Sequence, residues 1–367
     1  MRSTGIDAIW AGAVSNAPIR LVYREEPARV AERARPGLVV AQRYELDFPL
    51  AASTLCTSSL STLWHAREIR RGHPVTLQLL EPAIAEDPEI LAAFFEEARA
   101  AAAIVHPNVA QIVDSGVDSG VPFLALDRLE GESLSRRLHA RGRLSPAEVA
   151  RIFEDVALGL EAIHGWGLVH RRLDPAHLFL ASQARTSAAR TRDGGEETAK
   201  VLFGIDSNLA EGLSLLRQLS NHISQHSVSQ RSVSQRSASQ RSPSQQPWQD
   251  RSWEQELEES LSAPPDTTAY QSPEQLLGHA PVDQRSDLWS LAVIAFEALT
   301  GAPAFDGPSH GDRLIQICSG SPSEVPAHVS LPAGFAAWFR KGVCRASSGR
   351  FGSVREMAAS LSDVLAS

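Results

Sequence analysis

Apolar positions recur at helical spacing in three parts of the chain and fall into short, strand-like runs elsewhere. From about Asp87 to Ile104, Ile90, Leu91, Phe94, Phe95, Ala98 and Ala101–Ala102 return every three or four residues, which predicts an amphipathic helix. Ser145-Pro146-Ala147-Glu148 is a capping box with proline at the first helical position. Behind it Val149, Ile152, Phe153, Val156, Leu160 and Ile163 form one apolar face, closed by Gly165 and Gly167. Leu288–Leu299 is apolar all round apart from Ser290 and Glu297, so it predicts the buried central helix of the second half.

Between Tyr44 and Leu80 the pattern changes to short β-type runs, among them Leu60–Trp64 and Val75–Leu80, which predict antiparallel strands. Val109–Asp114 and Phe123–Asp127 predict two more, joined through a turn at Gly116–Gly120. A β-rich segment followed by a larger helical one predicts two lobes of an α+β protein. Residues 1–43 have little apolar rhythm and are expected to be a flexible leader; the lobes then run over 44–128 and 129–367. Polar inserts are expected at 182–198 and at 222–246, where HISQH, SVSQR, SVSQR, SASQR and SPSQQ repeat every five residues. That period matches neither helix nor strand, and so few bulky aliphatics cannot offset the entropy of ordering, so the repeat is expected to be disordered.

Composition narrows the function. The 367 residues carry 35 Lys plus Arg against 43 Asp plus Glu, and the net charge of −8 argues against general nucleic-acid binding. Cys56, Cys318 and Cys344 have no C-x-x-C spacing, which fits a reducing cytoplasm better than a disulfide framework. Ala8–Val14 is a poor signal-peptide core, and Leu288–Thr300 is too short for a membrane span. Only Lys200 and Lys341 are lysines, so no ammonium is available from residues 1–199.

Several motifs occur in one order. They are His106-Pro107-Asn108-Val109, Leu129-Glu130-Gly131-Glu132-Ser133-Leu134, and Val169-His170-Arg171-Arg172-Leu173-Asp174-Pro175-Ala176-His177. Thr268-Ala269-Tyr270-Gln271-Ser272-Pro273-Glu274-Gln275, Ser286-Asp287-Leu288-Trp289-Ser290-Leu291 and Gly349-Arg350-Phe351 follow. Together they resemble the bacterial Ser/Thr protein kinase domain over about residues 42–365. The resemblance implies a bilobal fold, with a small N-lobe of antiparallel sheet plus one helix and a larger, mainly helical C-lobe. It also implies structural roles for Glu97, His170, Arg171, Phe203, Gly204, Glu274, Asp287 and Arg350, with Glu274 paired to Arg350.

Phosphoryl transfer needs charge around the phosphates, metal ions and an acceptor for the hydroxyl proton. At each such position this sequence departs from the family. The segment Leu50–Trp64, where a glycine-rich phosphate loop is expected, contains no glycine. Val75-Thr76-Leu77-Gln78 aligns with V-A-I-K, so neutral Gln78 stands at the lysine. Arg172 replaces the catalytic aspartate, and a guanidinium with a pKa above ~12 accepts no proton. Asp174 inverts the charge of the next lysine, and His177 replaces a metal-binding asparagine. Leu202 occupies the aspartate of D-F-G in Leu202-Phe203-Gly204, where an alkyl group cannot ligate Mg²⁺.

The expectation is a cytoplasmic pseudokinase that binds other proteins, such as an active Ser/Thr kinase or its substrate. No metal, nucleic acid or membrane is expected, and ATP and Mg²⁺ are not expected to bind productively. The alternatives are a divergent ATP-dependent Ser/Thr kinase and a fold that keeps nucleotide as a structural ligand. The spacing of His164, His170 and His177 fits no single helical face, which disfavours a metal site. Asp174 and Asp206 as displaced metal ligands, and Cys56 as a redox sensor, are weaker than ordinary loop and packing roles. Ser232, Ser234, Ser237 and Ser239 follow arginines within the activation segment, as basophilic kinases prefer. Phosphates there would pair with Arg171 and Arg172.

Overall fold

A computed structural model describes residues 21–22, 34–50, 61–80, 85, 88–182, 197–202, 267–278, 281–307 and 309–367. A sheet of seven strands opens the molecule: β1 (Leu21–Val22), β2 (Val39–Val40), β3 (Tyr44–Pro49), β4 (Ser61–Glu68), β5 (Pro74–Leu80), β6 (Ile112–Asp118) and β7 (Val121–Asp127). Their order is β1-β6-β7-β5-β4-β3-β2, antiparallel throughout except for the β1–β6 pair. Helix α1 (Pro88–Ala102) lies between β5 and β6 in the chain and buries Phe94, Phe95, Ala98 and Ala101, the face its spacing predicts.

The second half is mostly helical. It comprises β8 (Gly131–Ser133), α2 (Leu134–Arg141), α3 (Pro146–Gly165), β9 (Leu178–Ser182), β10 (Glu197–Val201), α4 (Pro273–Leu277), α5 (Gln284–Thr300), α6 (His310–Cys318), α7 (Phe335–Gly342) and α8 (Val354–Ala366). Strands β10, β9 and β8 form a small antiparallel sheet. Helix α3 starts at the predicted capping box, with the Ser145 side chain accepting from the Glu148 N–H and the Glu148 carboxylate accepting from the Ser145 N–H. Helix α5 is buried on nearly every side, as its apolar run Leu288–Leu299, broken only by Ser290 and Glu297, requires. Among the described residues no helix is long and apolar enough to cross a membrane.

Successive residues of β5 face opposite ways and separate two cores. Val75, Leu77 and Leu79 pack with Tyr44, Leu46, Trp64, Ala66, Phe123 and Ala125 on the outer face. Leu80 joins Leu124 and Leu126 in the inner core, which continues through Leu178, Phe179 and Leu180 into the helical half. Thr76 and Gln78 share the inward register of Leu80, opposite Leu126 and Leu124 of β7.

Three sequence expectations are corrected. The boundary at 43/44 comes too late, because Ala34 and Val40 are buried in the outer core and β2 pairs with β3. Arg43 is also anchored, 3.0 Å from Glu68 and 2.7 Å from Asp114. The turn predicted over Gly116–Gly120 shrinks to Ser119–Gly120, both with positive φ, and β6 runs on to Asp118. Gly116 is needed for close approach instead, since a Cβ there would lie 2.8 Å from the Phe123 ring. The insert expected over 182–198 is narrower, because Ser182 pairs with Glu197 and Ala181 with Thr198 in the β9–β10 ladder. The expectations for Cys56, Phe203, Gly204, Asp206, Ser232, Ser234, Ser237 and Ser239, like most of the glycine-free loop, lie outside the described residues.

Candidate functional site

The loop 168–177, between α3 and β9, is gripped from below by Asp287 in the first turn of α5. This carboxylate is fully buried and needs several donors to offset its lost hydration. It accepts the His170 N–H at 2.9 Å, the Arg171 N–H at 2.8 Å and His164 Nε2 at 2.8 Å. Arg171 consequently sits at φ 64°, a conformation that costs a non-glycine residue about 1–3 kcal/mol and is maintained by its surroundings. Gln275 Nε2 adds a bond to the Arg171 carbonyl at 2.5 Å. His164 thus belongs to this clamp. Among the described residues, no cluster of three or more His, Cys, Asp or Glu side chains is arranged to hold a metal ion.

His170 is fully buried, and its Nε2 donates to the Leu202 carbonyl at 2.7 Å. Burial, reinforced by nearby His177, lowers its pKa to about 4, so the ring is neutral at pH 7 with its proton on Nε2. The Leu202 N–H in turn donates to the His177 carbonyl at 2.8 Å. The end of β10 is therefore fastened to both ends of the loop through backbone atoms, whatever side chain residue 202 carries.

A second anchor holds Glu274, next in the chain to the Gln275 that bonds Arg171. Arg350 makes a two-pronged ion pair with Glu274, at 2.6 and 2.8 Å, and also donates to the carbonyls of Cys344 and Arg285. Burial alone would raise the Glu274 pKa, but the guanidinium and the Ser286 hydroxyl hold it below the usual range. Tyr270 donates to Glu297 at 2.6 Å, while its carbonyl accepts from Ser290.

Comparisons with known proteins agree with this architecture. The family model described as the protein kinase domain matches residues 59–193. The Serine/threonine-protein kinase PknB of Mycobacterium tuberculosis is 26% identical over 327 residues, covering 88% of this chain and 43% of that protein. Serine/threonine-protein kinase pkn2 of Myxococcus xanthus is 28% identical over 289 residues, covering 79% and 28%. The crystal structure of the M. tuberculosis PknI kinase domain superposes with a TM-score of 0.57 at 23% identity, covering 90% of this chain and 99% of that one. The chain has the protein-kinase-like fold and is similar to bacterial Ser/Thr protein kinases over most of its length. It spans less than half the length of these curated relatives.

Within this kinase-like fold, the structure brings five of the sequence-predicted positions together: His170, Arg171, Asp174, His177 and Leu202 surround one loop, with Asp287 beneath. Asp174 is not left as a bare inverted charge. Its Oδ1 accepts from the Ala176 N–H at 2.8 Å, the His177 N–H at 3.1 Å and His177 Nδ1 at 2.8 Å, closing the turn Pro175–His177. The His177 ring also lies edge-on to His170, with centroids 5.6 Å apart. Arg172 is half-buried, and its N–H donates to the His170 carbonyl at 2.8 Å. Leu202 is 5% exposed, and its side chain is purely hydrocarbon. Gln78 and Glu97 are carried by β5 and α1, and both are half-buried.

Sequence reasoning missed Glu297, which looked like a polar interruption of an apolar helix and proves to be the partner of Tyr270. It also passed over Thr76, whose hydroxyl accepts the Leu129 N–H at 3.1 Å. The alignment with V-A-I-K held the signal for that one, because Thr stands where the kinase motif has Ala.

Proposed function

We propose that this protein is a pseudokinase, which uses the kinase fold to bind other proteins as a scaffold or allosteric regulator of signalling. The observation that carries the reading is the contrast within one loop. The clamp by Asp287, the His170 bond to residue 202 and the Glu274–Arg350 pair are intact, whereas Arg172 and Leu202 stand at the proton-accepting and metal-binding positions. A guanidinium accepts no proton and an alkyl chain ligates no Mg²⁺. The described residues therefore do not fit the family's metal-bound nucleotide. Partners of the class expected are an active Ser/Thr kinase or its substrate, in the cytoplasm. Phosphorylation at Ser232, Ser234, Ser237 or Ser239 would regulate the docking, which mass spectrometry of the protein from its host tests.

The discriminating experiment is a thermal-shift titration with ATP, with and without Mg²⁺ or Mn²⁺. The expected outcome is no metal-dependent stabilisation, because a ligand that binds the folded state must raise stability as RT ln(1 + [L]/Kd). Metal-dependent transfer of the γ-phosphate, abolished by Arg172→Ala, would refute the proposal.

One observation favours the second reading, a divergent ATP-dependent Ser/Thr kinase. An imidazole held by a buried carboxylate, as His177 is by Asp174, is a proton acceptor of a kind Arg172 cannot be. That reading predicts that His177→Ala removes any transferase activity that Arg172→Ala leaves intact.

A further inference from the structure

Leu129 lies in the short connection between β7 and β8, the segment that joins the N-terminal sheet to the helical half. Leu129 is 2% exposed, so its N–H, placed outside both sheets' ladders, needs an acceptor. Thr76 Oγ1 supplies it at 3.1 Å. Thr76 is itself fully buried and projects from the inner face of β5, two residues from Gln78 and opposite Leu126. Phe179 of β9, in the core that runs from the inner face of the sheet into the helical half, is also fully buried. Thr76 and Phe179 are thus both covered by the chain's own atoms.

Ligand sites favour the seam between lobes, where apolar walls enclose a few backbone donors and acceptors that orient the ligand. In a family whose co-substrate carries a purine, a buried backbone N–H at the interlobe connection is suited to a ring nitrogen. Here an intramolecular hydroxyl already holds that donor, and the side chain adds an Oγ and a methyl where the V-A-I-K pattern has only the alanine methyl. A purine would have to displace a satisfied buried hydrogen bond, leaving Thr76 Oγ1 without that donor.

We propose that Thr76 closes the base-binding end of the interlobe cleft from within, by occupying the Leu129 N–H that a nucleobase would use. This deepens the pseudokinase reading on which it rests. The losses at Gln78, Arg172 and Leu202 concern phosphates and metal, whereas Thr76 excludes the base itself. The hydroxyl also ties β5 to the connection between the lobes without a ligand.

Adenosine is the probe, because it lacks phosphates and so is insensitive to Gln78, Arg172 and Leu202. Binding is followed by thermal shift and calorimetry on the full chain and on Thr76→Ala, Thr76→Ser and Thr76→Val. The wild-type protein and Thr76→Ser are expected to show no stabilisation at ~1 mM adenosine, and Thr76→Ala to bind at least ~10-fold more tightly. Thr76→Val keeps the side-chain volume but not the acceptor, so amide exchange at Leu129 is expected to quicken and adenosine binding to rise, but less than in Thr76→Ala. Equal adenosine affinity in wild type and Thr76→Ala, no binding to a folded Thr76→Ala, or unchanged Leu129 exchange in Thr76→Val would each overturn the proposal. If instead the wild type responds to ATP with Mg²⁺ but not to adenosine, the pseudokinase reading fails while the role of Thr76 stands.

Discussion

Buried charges and buried imidazoles bear most of the load around the loop, and they make its stability depend on pH in two separate windows. His170 has a folded pKa near 4 against an ordinary 6.5, so between those values the unfolded chain binds a proton that the folded chain refuses. Stability contributed in this way is present above about pH 6.5 and is lost as the pH falls toward 4. From pH 6.5 to 4.5 the loss is roughly 2–3 kcal/mol, read from urea midpoints, and His65, also lowered by burial, adds to it in the same direction. His170→Gln keeps a donor for the Leu202 carbonyl without titrating, so it is expected to flatten the slope in that window. Glu274 acts lower: its depressed pKa contributes stability above the unfolded value of ~4.3 that disappears as the pH falls through the folded value. At pH 7, Glu274→Ala leaves the fully buried Arg350 guanidinium without its carboxylate and is expected to cost about 3–5 kcal/mol, with part recovered in the double variant with Arg350→Ala. A loss below about 1 kcal/mol would mean that the neighbouring carbonyls suffice for Arg350.

Elements were legible in the sequence wherever one rule decided them. Helix α3 has a capping box, proline at its first turn and an unbroken apolar stripe; α5 has no polar face at all; both formed where the pattern put them. Misreadings arose where a residue type serves two purposes. Gly116 resembled a turn glycine but is a contact glycine under Phe123, and the actual turn uses Ser119 with Gly120. The stretch before Tyr44 lacks periodicity because β2 is only two residues long, yet Val40 and Ala34 cover the outer core and Asp118 accepts from the Ala41 N–H. Gly131 unites both glycine roles: its φ is 137° and a Cβ would lie 2.0 Å from the Leu180 carbonyl oxygen. Gly131→Ala is therefore expected to separate β8 from β9 and to destabilise the protein by at least ~2 kcal/mol in urea unfolding. Gly142→Ala, with positive φ but open space around it, should cost less, about 1 kcal/mol. Equal costs for the two would show that backbone conformation outweighs the clash.

At the scale of the whole molecule, the parts that hold a kinase-like fold together and the parts that would run its chemistry have separate chemical foundations. The first depend on backbone bonds and buried pairs, which tolerate Leu202 and Arg172 because residue 202 is held through its N–H and carbonyl. The second depend on charge, and the whole chain has little suitable charge to offer. Residues 1–199 contain no lysine, and Lys341 is committed to Glu356 at 2.8 Å and to the Phe351 ring on the far C-terminal surface. The scarcity of lysine was legible in the sequence, but the bond from Leu129 to Thr76 was not, because a threonine in a strand looks like ordinary β-propensity until its hydroxyl is seen on Leu129. Groups that act as a unit on one ligand are non-additive, so restoring them one at a time should restore nothing. Gln78→Lys, Arg172→Asp or Leu202→Asp alone is therefore expected to leave ATP without metal-dependent stabilisation. Combining Thr76→Ala, Gln78→Lys, Arg172→Asp, His177→Asn and Leu202→Asp, with Asp174 retained because it closes the turn, should produce it. At ~100-fold excess over Kd the gain would be about 2.7 kcal/mol, measurable as a rise in Tm that EDTA reverses. Full metal-dependent binding by Leu202→Asp alone would mean that the phosphate and base sites were never lost, and that one alkyl side chain separates this protein from nucleotide.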